Sequence, residues 1–168
     1  MTFDISQSKD PLSLEKRSNR IKLHDSESFN AMHKAGRLAA KTLDNIVNYV
    51  KPGIRTDQID EICHQFILER GAVPAPLYYR GFPKSVCTSV NHVICHGIPG
   101  DKILENGDII NIDITVILNG WHGDTSRMFF VGKTGVKAQK LCQITYEAMM
   151  RGINTIRPGA TTGDIGYA

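Results

Sequence analysis

The sequence predicts an α+β chain built from two related helix-and-sheet units, the second of which breaks off early. Three observations predict it. Residues 109 to 131, IINIDITVILNGWHGDTSRMFFV, form two apolar-rich runs around Asn119-Gly120. Helical apolar stripes occur before those runs and again after them. The junction NYVKPGIRTDQIDEI recurs as NTIRPGATTGDIGYA, the self-similarity expected of a duplicated unit.

Residues 1 to 23, MTFDISQSKDPLSLEKRSNRIKL, carry five Lys/Arg against three Asp/Glu. They read as a polar, solvated arm over residues 1 to about 20, although the positive excess would also suit an acidic surface such as ribosomal RNA. The arm lacks the apolar core of about 7–15 residues that marks a signal peptide, and no run elsewhere approaches the ~18 apolar residues of a membrane span. A cytoplasmic protein is expected, with no membrane partner. The 168-residue chain is 41% hydrophobic and 22% charged, enough for a globular core, and its net charge of +3 is too mild for dedicated nucleic-acid binding.

From Asp25, an expected N-cap, the residues Phe29, Met32, Gly36, Ala39, Leu43, Ile46 and Val50 make one helical stripe, which Lys51-Pro52-Gly53 ends. Thr56 is expected to cap a second helix, with Ile59, Ile62, Cys63, Phe66 and Ile67 on its buried side and Gly71 at its end. PAPLYYRGFPKS reads as a loop, followed by short strands in VCTSVNHVICHG, a turn at ENGD, and the hairpin.

An Asn-Gly pair between such runs favours a two-residue type I′ turn, which needs positive φ at both positions. Residue 118 then faces 121, 115 faces 124, and 113 faces 126. Asp113 and Asp124 become diagonal partners on one face with Cβ atoms roughly 7 Å apart, beside Asn111, Thr115 and Ser126. The other face, Ile110, Ile112, Ile114, Val116 and Leu118, must be buried. Acids this close repel unless a shared cation holds both ionised, so the geometry is that of a metal site; a hydrated polar face is the competing reading. A paired-metal centre needs several carboxylate or imidazole ligands, and such a donor set favours Mn, Fe, Co or Zn.

His96, in VICHGIPGD, is expected at a strand end and is the best imidazole candidate, either as a ligand or as a hydrogen-bond donor to a scissile amide. A structural histidine is the alternative, and His92 is comparable. His122 is expected one residue off the acidic face and is excluded as a ligand. Tyr78, Tyr79 and Phe82 with Cys87 either line a small apolar pocket or cover the edge of the core. The four cysteines, Cys63, Cys87, Cys95 and Cys142, contain no C-x-x-C pair and read as buried reduced thiols.

After the hairpin, Leu141, Ile144, Ala148, Gly152 and Ile156 repeat the helical stripe. Arg157-Pro158-Gly159 closes it, and Thr162 with Asp164-Ile165 opens another helix. Lys51 falls on Arg157, Pro52 on Pro158 and Ile59 on Ile165. No loop and sheet follow the second copy, so the chain is expected to be part of a pseudosymmetric protein.

The stretch PKSVCTSVNHVICHGIPGDKILENGDIINIDITVILNGWHGDTSRMFFVG, with AGRLAAKTLDNIVNYVKPGIRTDQID before it and RPGATTGDIGYA after it, closely resembles bacterial type I methionine aminopeptidases from about residue 20 onward. The resemblance implies the pita-bread (creatinase/aminopeptidase) fold, with a complete first half over residues 21–132 and the start of a second over 133–168. It implies that Asp113 and Asp124 are metal ligands, Asp124 bridging two divalent ions, with Co, Mn, Fe and Zn all plausible. His96 would contact the substrate and stabilise the reacting amide. Tyr79, Phe82 and Cys87 map onto the methionine pocket, with Phe82 and Pro76 standing where tyrosine and cysteine are common. Backbone oxygens of Asn91 and Val93 match a monovalent-cation (Na or K) site. The implied activity is removal of the initiator methionine from nascent polypeptides, by a monomer when full length. One His and two Glu ligands, including the proton-transferring glutamate, belong to the second half in that family, so the 168-residue chain alone is expected to be inactive. A proline-type peptidase and a non-catalytic binding module of the same fold are the alternatives.

Overall fold

A computed structural model describes residues 23–168; the arm expected over residues 1–20 lies outside them. The elements in chain order are α1 (Ser26–Ile46), α2 (Thr56–Leu68), β1 (Val73–Pro74), β2 (Cys87–Val90), β3 (Ile109–Leu118), β4 (Trp121–Phe130), α3 (Val136–Asn154) and α4 (Thr162–Tyr167), with a short 3₁₀ turn at Tyr79–Gly81 between β1 and β2. All strand pairings are antiparallel. β4 runs along the whole of one edge of β3, while β2 and β1 share the other edge, opposite residues 110–113 and 116–117 respectively.

Alternation along β3 sorts its side chains onto two faces. Ile110, Ile112, Ile114 and Val116 are wholly buried, while Asn111, Asp113 and Thr115 on the opposite face are only partly covered. Each fully buried branched aliphatic residue contributes about 1.5–3 kcal/mol of transfer free energy, and α1 and α2 supply the apolar cover. α1 lies across β3 and β4 through Ala35, Leu38, Ala39, Thr42, Leu43 and Ile46. α2 adds Ile59, Cys63 and Ile67.

Helix α1 starts as expected, with the Ser28 N–H donating to Asp25 Oδ1 at 2.9 Å. Its buried stripe differs from the expected one in the first two turns, where Phe29 and Met32 are 65% and 48% exposed. In these turns the partly covered positions are Ser28 and Ala31, in line with Ala35, so Phe29 and Met32 fall beside the buried face; the Leu118–Asn119 end of the hairpin flanks Ser26, Asn30, Ala31 and Lys34, and β4 comes closest to α1 at Ala35–Gly36. There Gly123 lies so close that an added Cβ would collide with the Ala35 carbonyl. α1 ends at Ile46, earlier than the stripe through Val50 suggests, and a turn in which Tyr49 and Val50 both donate to the Ile46 carbonyl leads into the Pro-Gly break.

Thr56 does not cap α2. It is the first helical residue, Arg55 takes the cap position, and Gln58 Oε1 accepts from the Arg55 N–H at 3.0 Å. The Thr56 hydroxyl instead ties the helix to a distant loop, accepting from Gly100 N–H at 2.9 Å and donating to the Gly100 carbonyl at 3.1 Å. Asp60, on the same helix, is buried and accepts from the Ser85 and Val86 N–H groups at 2.8 and 3.1 Å. That carboxylate anchors the start of β2.

The repeat is visible in the backbone. Gly53 and Gly159, which correspond under it, have φ of 96° and 90°, and α2 and α4 start at the corresponding residues Thr56 and Thr162. In the second copy Thr161 is the cap, and Asp164 Oδ2 accepts from its N–H at 2.7 Å. α3 packs chiefly on α4 among the described residues, so Leu141, Ile144 and Ile156 of its stripe are more than half exposed.

Candidate active site

The site begins with the turn. Asn119 and Gly120 have φ of 51° and 81°, the left-handed pair of a type I′ hairpin. The register follows the expected one throughout, with Leu118 opposite Trp121, Thr115 opposite Asp124, and Asp113 opposite Ser126. Asp113 and Asp124 therefore project from the face opposite the core. The Asp113 pKa is raised, first by burial, then by the Asp124 charge and a hydrogen bond with Asp124, against a smaller lowering from His96. Neither acid has a lysine, arginine or histidine within ion-pair distance among the described residues.

Two converging carboxylates without a cation fit a hard divalent ion. They are not a complete site, since no group of three or more His, Cys, Asp or Glu side chains able to hold a metal occurs among the described residues. His96 is accordingly a neighbour of the acids and not a third ligand in this geometry.

A cavity of about 840 Å³ opens over this face. It gathers Asp113, Asp124, His96, Tyr79, Phe82 and Cys87 along its wall, together with Ala75, Pro76, Arg80, Ile98, Thr115 and His122. All six candidates for the catalytic, metal and methionine-pocket roles thus share one concave surface. Tyr78, a further aromatic of the loop, is 69% exposed. Cys87 stands opposite Asp113 across the β2–β3 pair, and its thiol is pushed up to about 11 by burial and then by the Asp113 charge.

His96 is not at a strand end. It occupies the irregular loop after β2 with φ of 54°, a conformation costly for a residue with a side chain. The loop is held in place through Gly97, whose carbonyl accepts from Thr88 N–H at 2.8 Å and whose N–H donates to Ser89 Oγ at 3.2 Å. A Cβ at Gly97 would clash with the Thr88 carbonyl, so glycine here lets the loop lie directly on β2.

His122 corrects the sequence reading. Positions 122, 124 and 126 share one face of β4, and His122 pairs with Ile117 on the acidic side of the hairpin. The strand period of two, applied from Asp124, would have found it. Arg80 and Ile98 carry no sequence signal for a pocket; loop geometry alone brings them in. Asn91 and Val93 lie outside the cavity, at the turn after β2, where Asn91 Nδ2 donates to Asp108 Oδ1 at 2.8 Å. Of the cysteines, all unpaired, Cys63 and Cys87 are buried as expected, but Cys95 is exposed and Cys142 half-buried.

The family model for metallopeptidase family M24 matches residues 30–168. The methionine aminopeptidase of Rickettsia prowazekii (strain Madrid E) is 60% identical over 148 residues, covering 88% of this chain and 57% of that protein. The Escherichia coli (strain K12) methionine aminopeptidase is 49% identical over 150 residues, again covering 88% of this chain and 57% of that protein. The crystal structure of the R. prowazekii enzyme superposes with a TM-score of 0.87 at 59% identity, over 88% of this chain and 60% of that one. The chain thus spans a little over half the length of these relatives. With most of its length matched and its α+β architecture that of the pita-bread fold, the chain belongs to metallopeptidase family M24.

Proposed function

We propose that the intact protein carrying this chain is a metal-dependent methionine aminopeptidase that removes the initiator methionine from nascent polypeptides. The observation that supports this reading best is the shared cavity, in which paired carboxylates, an imidazole and an apolar wall face one volume. Asp113 and Asp124 would be among the residues holding two divalent ions, with Co, Mn, Fe or Zn suited to the donors. When bound, such ions supply Lewis acidity and a water of lowered pKa for hydrolysis of the first peptide bond.

The remaining work falls to the chain's own side chains. Tyr79, Phe82 and Cys87 take the methionine side chain against an apolar surface. His96, fixed by the Gly97 contacts, donates a hydrogen bond to the reacting amide. Backbone oxygens of Asn91 and Val93 are the proposed monovalent-cation ligands. Residues 21–132 form the proposed first half and 133–168 the start of the second. The arm's proposed ribosome contact lies outside the described residues. No helix among the described residues is long and apolar enough to cross a membrane; the proposed intact protein is a cytoplasmic monomer acting on nascent chains. Because only two carboxylates converge among the described residues where a paired site needs several, residues 1–168 alone are expected to bind metal weakly and to release no methionine.

The test is methionine release from Met-Ala-Ser by the intact protein with Mn or Co, beside Asp124→Asn and the 168-residue chain. Release by the intact protein alone supports the proposal. Cleavage of Xaa-Pro peptides without Met-Ala-Ser turnover points to a proline-type peptidase, and no peptide turnover with intact metal binding to a non-catalytic module. Release by the isolated chain overturns the half-site.

A further inference from the structure

We propose that Arg80 is a specificity residue that takes a carboxylate carried by the substrate downstream of the scissile bond. The proposal rests on the aminopeptidase reading of the same cavity. Arg80 lines that cavity together with Tyr79 and the two acids. Among the described residues its guanidinium makes no side-chain hydrogen bond, and no carboxylate lies within ion-pair distance. Arg55, Arg70 and Arg127 have acidic partners on the protein surface; Arg37, Arg151 and Arg157 share with Arg80 the lack of one among the described residues, but only Arg80 lines the cavity.

Its placement is built by the loop. Arg80 has φ of 49° and ψ of 34°, between Tyr78 at φ 67° and Gly81 at φ 83°. Left-handed backbone at residues with side chains persists only where surrounding bonds over-determine it. Here Tyr78 N–H donates to the Phe82 carbonyl at 2.8 Å, Phe82 N–H to the Tyr79 carbonyl at 3.0 Å, and Tyr79 N–H to the Pro76 carbonyl at 3.0 Å. The guanidinium carbon sits 5.4 Å from the centre of the Tyr79 ring, within cation–π range. The arginine is thus tethered beside the methionine wall.

Arg80 thus places a permanently charged cation, with no acidic partner among the described residues, in the wall of the cavity that also carries the acid pair. That cation is matched by an anion on the substrate beyond the methionine, and a planar guanidinium suits a carboxylate in a bidentate pair. Both an acidic side chain and a short peptide's own terminal carboxylate offer that group.

The test compares kcat/KM of the metal-loaded intact protein on Met-Ala-Xaa-amide with Xaa as Asp, Glu, Ala and Lys, and on Met-Ala-Ala as acid and as amide. For an exposed pair the expected preference for Asp or Glu over Ala lies between about 1.4-fold and fivefold, shrinking as ionic strength rises. The first set reports an acidic side chain and the second a terminal carboxylate. Arg80→Gln is expected to bring the Asp/Ala ratio to one, Arg80→Glu to favour Lys, and Arg80→Lys to restore part of the preference. A structural role would lower all peptides alike and leave the ratios unmoved. Wild-type ratios of one in both sets, with methionine still released, overturn this inference and leave the aminopeptidase reading standing. Absence of release from every peptide overturns both.

Discussion

Gly123→Ala tests the packing that positions the acid pair. A methyl group at this position would stand 2.5 Å from the Gly36 nitrogen and closer still to the Ala35 carbonyl. Non-bonded heavy atoms rest comfortably near ~3.5 Å, so α1 and β4 must separate by about 1 Å at their closest point. The obstructing atoms are helix backbone and cannot rotate aside. The cost therefore falls at the upper end of the ~1–3 kcal/mol typical of overpacking. At about 2–4 °C per kcal/mol for a chain of this size, 3 kcal/mol lowers Tm by about 6–12 °C. Gly36→Ala is the internal control, since a Cβ there meets nothing within 4 Å and alanine in a helix interior gains ~1 kcal/mol over glycine. The two substitutions on either side of one contact should move Tm in opposite directions. Thermal melts of the metal-free intact protein by calorimetry measure both. A Gly123→Ala protein melting at or above wild type would refute the packing argument.

Three further outcomes follow from the site. Asp113→Asn should stabilise the metal-free protein at neutral pH while abolishing stabilisation by Mn; a folded-state pKa raised above the unfolded value means that the Asp113 contribution is most favourable below the unfolded pKa and is lost as pH rises through the folded one. Melts from pH 4 to 8 read both effects, and unchanged wild-type and variant curves would contradict the raised pKa. Cys95 should be alkylated well before Cys87, whose thiol at about 11 leaves fewer than about one molecule in a thousand as thiolate at pH 7.5; peptide mapping after brief iodoacetamide treatment checks the order. Gly97→Ala should lower kcat by about 100-fold through displacement of His96 by an ångström or so, with helix content by circular dichroism retained, and a kcat near wild type would mean the loop does not position the imidazole.

Much of the site was legible because its geometry is local. One Asn-Gly pair sets a turn type, the turn sets the register, and the register puts Asp113 diagonal to Asp124. The Asp25 cap and the Gly71 stop, with φ of 72°, are similarly written within a few residues. What remained hidden depends on contacts between distant segments. Phe29 and Met32 fit the α1 stripe by spacing, yet the hairpin covers Ser28 and Ala31 beside them instead. Thr56 looks like a cap, but its hydroxyl is engaged by Gly100. Asp60 is a buried acid in an amphipathic helix, and only the fold shows Ser85 and Val86 donating to it. The exclusion of His122 is different in kind, since the alternation that placed Asp124 also places His122 on the same face.

The short chain distance between the two acids also bears on the order of folding. A hairpin closed by a type I′ turn forms in about 1–10 μs, whereas the seat of Gly123 on Ala35–Gly36 joins segments far apart in the chain and must await a costlier loop closure. The local closure that brings Asp113 and Asp124 together thus costs less chain entropy than the docking of the helix that backs their strands. Their repulsion is carried by the hairpin itself, so a divalent cation that relieves it stabilises the strand pair as well as the finished site.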